Sequence, residues 1–158
     1  AWIIVKSPSS SKVDENPIGQ GGVPVDNEEI ESEQLCFIWN TEAGDKAQLA
    51  MDIRGDVVMG EFNWLPAEKD KKTGIFMGEV TDESASTMSR RINAWWQASA
   101  EGMTNTEQLS IVIEGNMAGV GFGEMIDDGT GQYVYADPNN LSYEPRLSAT
   151  DCNDEAMD

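Results

Sequence analysis

The segment PAEKDKKTG, residues 66–74, is the densest cluster of side chains with chemical potential in the sequence. Glu68 and Asp70 offer oxygen to a cation or a sugar hydroxyl, and Lys69 and Lys72 offer ammonium groups to an anion. The plainer reading is a solvated hairpin loop with Gly74 and Gly78 serving packing, and that reading is preferred. Loops nevertheless carry contacts more often than strands do. A second group lies in AWWQASAEGM, where Trp95 and Trp96 are adjacent and Glu101 follows in a turn. Adjacent residues of a strand face opposite ways. Trp96 shares its phase with Ile92, Ala94 and Ala98 and is expected inside, leaving Trp95 outside to stack on a sugar ring or a peptide. Trp39 and Trp64 are expected in the core.

Other acidic groups are weaker candidates. Asp127, Asp128 and Asp137 stand beside glycines, but their spacing does not fit a twelve-residue calcium loop, and Asp-Gly is ordinary turn chemistry. Pairs such as Glu101 with Glu107, or Glu61 with Glu79, have the residue types of a glycosidase. Among 29 acidic residues, nothing singles one pair out. The chain has no histidine, which removes the commonest general base and metal ligand and both histidine-dependent nucleophile pairs. No metal site, cofactor motif or phosphate-binding glycine loop is found, and no enzymatic activity is expected.

The 29 acidic residues face 10 basic ones, a net charge of −19. Such a charge repels nucleic acid and anionic lipid, and it suits solubility and cationic partners. The two cysteines, Cys36 and Cys152, bracket the patterned region. A disulfide tying the first strand to the last is the preferred reading, and it places the domain in an oxidising compartment.

These residues need elements to hold them, and from Leu35 onward the hydrophobic period is two. Strands are expected in QLCFIWN, DKAQLAMDIR, VVMGEFNWL, TGIFMGEVT, INAWWQASA, LSIVIEG, MAGVGFGEM, YVYAD and LSYEPRLSA. Gly55-Asp56 and Gly115-Asn116 are hairpin signals. Gly60, Gly74 and Gly78 alternate with large residues, as if glycines of neighbouring strands faced each other in a tightly curved sheet. DESASTMSRR suggests a short helical turn capped by Asp82 or Ser84. The stretch EGMTNTEQ reads as a turn. MAGVGFGEM is too rich in glycine to pack by itself, so something bulky should cover it. Pro145 marks the last strand as an edge or a bulged closing strand.

Residues 7–33 are rich in Ser, Pro, Gly and acid without an apolar period and read as a flexible tether. AWIIVK before them reads as the outer end of a membrane anchor. Residues 34–152 form the expected domain and 153–158 a disordered acidic tail. The runs WNTEAGDKAQL, GDVVMGEFNWLPAEKDKKTGIFMGEV and AWWQASAEGMTNTEQLSI resemble a family of uncharacterised small exported bacterial β-domains, predicted lipoproteins or membrane-anchored proteins. The matching positions are Cys36, Gly44, Asp45, Val58, Gly60, Glu68, Lys69, Asp70, Gly74, Gly78, Glu101 and Gly102, over roughly residues 36–152. The resemblance implies an envelope location and a β fold, and no activity. Cys36 follows a long polar stretch, unlike a lipid-bearing cysteine.

Short connections between strands spaced near ten residues predict an all-β fold, an antiparallel up-and-down barrel of about eight strands. Its size is that of lipocalins or streptavidin, and a small β-sandwich is the alternative. The expected function is non-enzymatic: a monomeric, exported, membrane-tethered domain that contacts an envelope protein or glycan at one barrel mouth. That mouth is formed by Glu68 to Lys72 and Glu101 to Met103. The alternatives are a lipocalin-like carrier or enzyme inhibitor and, behind it, a carboxylate-based hydrolase. Large inward residues, Phe62, Trp64, Phe76 and Trp96, would fill a barrel of this size and weigh against a carrier.

Overall fold

A computed structural model describes residues 31–157. The readings of 1–30 as anchor and tether lie outside the described residues. The chain forms ten strands: β1 (Ser32–Asn40), β2 (Lys46–Arg54), β3 (Val57–Leu65), β4 (Lys72–Ser84), β5 (Ser89–Ala100), β6 (Met103–Glu114), β7 (Met117–Val120), β8 (Met125–Asp127), β9 (Gln132–Tyr135) and β10 (Leu147–Thr150). Eight of them close an antiparallel barrel. The wall runs β1 to β7 in chain order, and β10 fits between β7 and β1.

The closure depends on residues that lack a Cβ. A Cβ on Gly74 would lie 1.8 Å from the backbone oxygen of Gln97, and one on Gly78 2.1 Å from that of Asn93. On Gly60 it would lie 2.2 Å from the Ala50 oxygen and 2.7 Å from the Phe76 ring. The wall bends too sharply at these places for any side chain. The glycines do not face each other, as the alternation suggested. Each faces a large residue on the next strand: Gly60 pairs with Phe76, Gly74 with Phe62 and Gly78 with Val58. One strand's missing side chain makes room for its neighbour's.

The period of two delivers the core. Ala47, Leu49, Met51 and Ile53 of β2 point inward with Val58, Phe62, Phe76, Ile92, Ala94, Trp96, Leu109, Ile111 and Ile113. Burying a large aliphatic or aromatic side chain contributes about 1.5–3 kcal/mol. The Cys36–Cys152 disulfide is formed, with the two Cα atoms 5.2 Å apart. It fastens the β1–β10 seam, where Cys36 pairs with Thr150.

Several local expectations are corrected. No helix forms in DESASTMSRR: β4 and β5 run on as a long hairpin, with a bulge between Val80 and Asp82 and a turn closing near Met88. Pairing along both strands satisfies backbone groups that a single helical turn would leave open. EGMTNTEQ is mostly strand, and only Glu101 and Gly102 turn, both at positive φ (53° and 79°) as a tight hairpin requires. β7 stops at Val120. The chain then leaves the wall, makes the β8–β9 hairpin and lays β9 parallel on β6 through Thr106–Gln132 and Glu107–Tyr133. The final strand is only Leu147–Thr150, and Pro145 precedes it. Residues 155–157 form a short 3-10 turn instead of a disordered tail, and the Gln48 side chain donates to the Ala156 carbonyl. The expected cover over the glycine-rich strand is present. Leu141 and Tyr143 lie where a Cβ on Gly119, Gly121 or Gly123 would stand.

Gly74→Ala or Gly78→Ala is expected to cost about 3 kcal/mol or to prevent folding, because backbone atoms must move. Gly115→Ala, in a turn at φ 62° with open space around it, is expected to cost about 1–2 kcal/mol. Urea unfolding midpoints would separate the two classes. Reducing the disulfide, which spans 116 residues, is expected to remove about 4–5 kcal/mol in the same assay.

Candidate functional site

In an antiparallel barrel, alternate connections lie at the same end. The β1–β2, β3–β4 and β5–β6 connections therefore share one mouth, and most of the sequence-predicted site residues meet there. The β1–β2 turn holds the charged loop in place. Thr41 and Asp45 exchange hydrogen bonds, and the other Asp45 carboxylate oxygen accepts from the Ala67 amide at 2.9 Å. Glu68, Lys69 and Asp70 beyond it are exposed. Asp70 reaches Glu101 in the neighbouring hairpin turn. Their hydrogen bond and mutual repulsion push the Glu101 carboxyl above its usual range. This pair sits on exposed loops and its carboxyls touch, so no substrate fits between them as glycosidase chemistry requires. Trp95 lies apart from the mouth, on the outer wall.

Lys72 differs from the rest of its loop. It opens β4 in phase with Gly74 and Phe76 and therefore points inward. Its ammonium donates to Glu107 of β6 at 2.8 Å and lies 5.6 Å from the centre of the Trp96 ring. Glu107 is buried, directly opposite Trp96. At the other end, Arg90 forks onto Glu33 at 2.9 and 3.3 Å. An ion pair thus caps each end of the apolar interior.

Below the Lys72–Glu107 pair the interior is not full. A cavity of about 130 Å³ remains, lined chiefly by Phe62, Trp64, Trp96, Leu109, Phe122 and Tyr135. Trp39 stacks on Trp64 with centroids 5.5 Å apart and planes 3° apart, and Trp64 meets Phe122 at 5.1 Å. Both tryptophans, expected in the core, are only partly buried and line this mouth. The cavity exists because β6 and β7 diverge beyond Ile111–Val120 and β9 takes over the β6 edge.

Tyr135 fixes that divergence. Its hydroxyl donates to the Gly121 carbonyl at 3.0 Å and accepts from the Ser110 amide at 2.9 Å. Its own amide donates to the Gln108 side chain. These bonds replace the ladder that β6 and β7 lose. Phe122, Tyr135 and Glu107 were not selected as site residues from the sequence. Glu107 carried a usable signal, being in phase with Leu109 and Ile111 as Lys72 is with Phe76. Tyr135 carried none, because its partners lie 14 and 25 residues away.

The aspartates weighed for calcium serve turns. Asp127 accepts from the Gly129 amide, Asp128 from Thr130 and Asp137 from Asn139. Among the described residues, no three acidic or cysteine side chains gather as a metal would need. No protein-family model, curated protein or solved structure matches the chain.

Burial pushes the Tyr135 phenol up to about 12. The folded chain thus holds this proton more tightly than the unfolded chain, whose tyrosine titrates near about 10. The resulting stabilisation, about 2–3 kcal/mol, is complete below about pH 10 and is lost as pH rises towards 12. Tyr135→Phe is expected to lower stability at neutral pH by about 1–3 kcal/mol, leaving a buried amide and carbonyl unpaired. The gap between the two proteins should narrow as pH climbs from about 10 to 12, measured by urea unfolding.

Proposed function

We propose that this chain is a non-enzymatic, exported binding domain of the cell envelope, and that it holds a protein partner against the outer wall of β3–β5. The observation that carries this reading is an apolar stripe on that wall. Five of the eight large apolar side chains left exposed among the described residues share it: Val57, Met59, Ile75, Met77 and Trp95. The strand register makes it continuous. Met59 stands opposite Met77, and Met77 opposite Trp95, so three side chains cross three strands in a line. Ile75 and Val57 flank the line. Each of the five is between 40 and 65 % exposed. A contiguous apolar surface of this kind on a chain of net charge −19 is a feature of interaction sites.

The border identifies the partner's chemistry. Glu61 stands opposite Ile75, Glu79 opposite Val57, and Asp52 opposite Met59. An apolar line edged by carboxylates suits a partner face with apolar side chains flanked by lysine or arginine. The contact lies on the wall and not at the mouth expected from the sequence. Of the residues selected there, Trp95 belongs to it. The disulfide supports export, because such bonds persist in oxidising compartments. The composition of residues 7–30 and the resemblance to exported bacterial domains support an envelope tether. A carrier of lipocalin type is disfavoured, since a 130 Å³ cavity is far below the size of drug-sized ligand pockets.

The test is photo-crosslinking in the producing cells, with a photoreactive residue at position 77, 95 or 139 of the full chain. Discrete protein adducts at 77 and 95, absent at 139 and lost in the Met59→Glu background, are expected. Equal labelling at all three positions, or none at 77 and 95, would reject the reading. Recovery with purified partner should also weaken as salt rises.

A further inference from the structure

We propose that the mouth cavity is a binding site for one uncharged aromatic ring carrying a hydroxyl, of the phenol type. Size sets the first limit. The cavity measures about 130 Å³, and an apolar protein cavity of about 150 Å³ admits a single benzene. One six-membered ring matches that volume. The lining sets the second limit. Phe62, Trp64, Trp96 and Phe122 present ring faces and edges, which favour another aromatic ring.

The polar groups set the third. Most of the polar groups facing the cavity are already engaged. The Trp96 indole N–H donates to the Gly74 carbonyl, the Gln108 oxygen accepts from the Tyr135 amide, and the Tyr135 hydroxyl makes two bonds. Capacity remains on the Lys72–Glu107 pair. The ammonium lies 2.8 and 2.7 Å from the two Glu107 carboxylate oxygens, and with three donors facing about four acceptor positions the pair keeps a donor and acceptor positions to spare. A single hydroxyl can accept from Lys72 and donate to Glu107 together. The pair is electrically balanced, so a charged ligand would unbalance it in a partly desolvated place. A sugar ring has several hydroxyls and finds one donor–acceptor pair, so it is a poor match.

Capping this end of the barrel leaves part of the pair's bonding capacity unused. Replacing a buried ion pair by apolar residues is often neutral or stabilising, and here Glu107 is 11 % exposed, Lys72 is 36 % exposed, and the surrounding wall is aromatic. The position of the pair over unfilled space accords with a ligand contact.

The test uses methyl NMR on the full, oxidised chain. 4-Methylphenol is expected to shift the methyl signals of Leu109, Val120 and Met125 saturably while those of Met59 and Met77 stay in place. Toluene, which lacks the hydroxyl, should bind about tenfold or more weakly, and so should the phenol to Lys72→Met or Glu107→Gln. N-acetyltyrosinamide forms a second arm. Tighter binding than 4-methylphenol assigns the ring to a peptide, and weaker binding assigns it to a free small molecule. Absence of saturable shifts with either phenol, or equal affinity for toluene, would overturn the proposal. The toluene comparison needs only the unaltered chain, so it stands even if a variant fails to fold. Shifts confined to Met59 and Met77 would also overturn it, while leaving the outer-wall reading intact.

Discussion

Closing a sheet of eight strands on itself requires the wall to bend where the backbones of neighbouring strands nearly touch. The rest of this structure depends on that bend. The three glycines on β3 and β4 stand where a neighbour's carbonyl oxygen occupies the space of a side chain. Around them the interior is filled by the large residue opposite each one. Curvature and core packing are therefore the same fact viewed along two directions. A looser wall would need larger residues, and a wall with side chains at these points would stay open and expose its edges.

Closure leaves two ends to seal, and both use charge. Glu33 and Arg90 span one end, and Lys72 and Glu107 the other. The first end is completed by the β2–β3, β4–β5 and β6–β7 hairpins. The second is crossed by the β8–β9 hairpin, and there the interior retains a cavity of about 130 Å³. Between the ends, the outer wall keeps a line of methionine and tryptophan side chains in water. One barrel thus offers two surfaces of different character, a recessed aromatic mouth and an open apolar stripe.

The barrel was legible in the sequence because its signals are local. Alternation of period two and the turns at Gly55, Gly115 and Glu101–Gly102 are read within a few residues. Cys36 and Cys152 were paired because they bracket the patterned region. The inward Trp96 and outward Trp95 followed from phase alone. Three things were not legible. The β4–β5 hairpin outcompeted a helical turn through pairing that no local propensity reveals. The departure after Val120 depends on Tyr135 and Tyr143, whose hydroxyls both reach Ser110 from distant positions. The role of Lys72 was hidden because it stands at the end of a charged run, where phase matters more than composition. Of the candidate site, the loop residues and the inward Phe62, Trp64 and Trp96 were named, while Phe122, Tyr135 and the pairing of Glu107 with Lys72 emerged only from the fold.

The position of β10 has a kinetic consequence. The strand that completes the wall is the last of the ten, and it joins a partner more than a hundred residues earlier through Cys36–Thr150. Every other wall pair except β7–β10 links consecutive strands. The meander from β1 to β7 is therefore able to zip up progressively from nearby contacts, while the ring itself waits for one long-range encounter. Until then two ladders stand unpaired, and the half-built sheet is at its most adhesive. A chain of this design gains from completing its emergence quickly, and from surroundings that keep such partly zippered sheets apart.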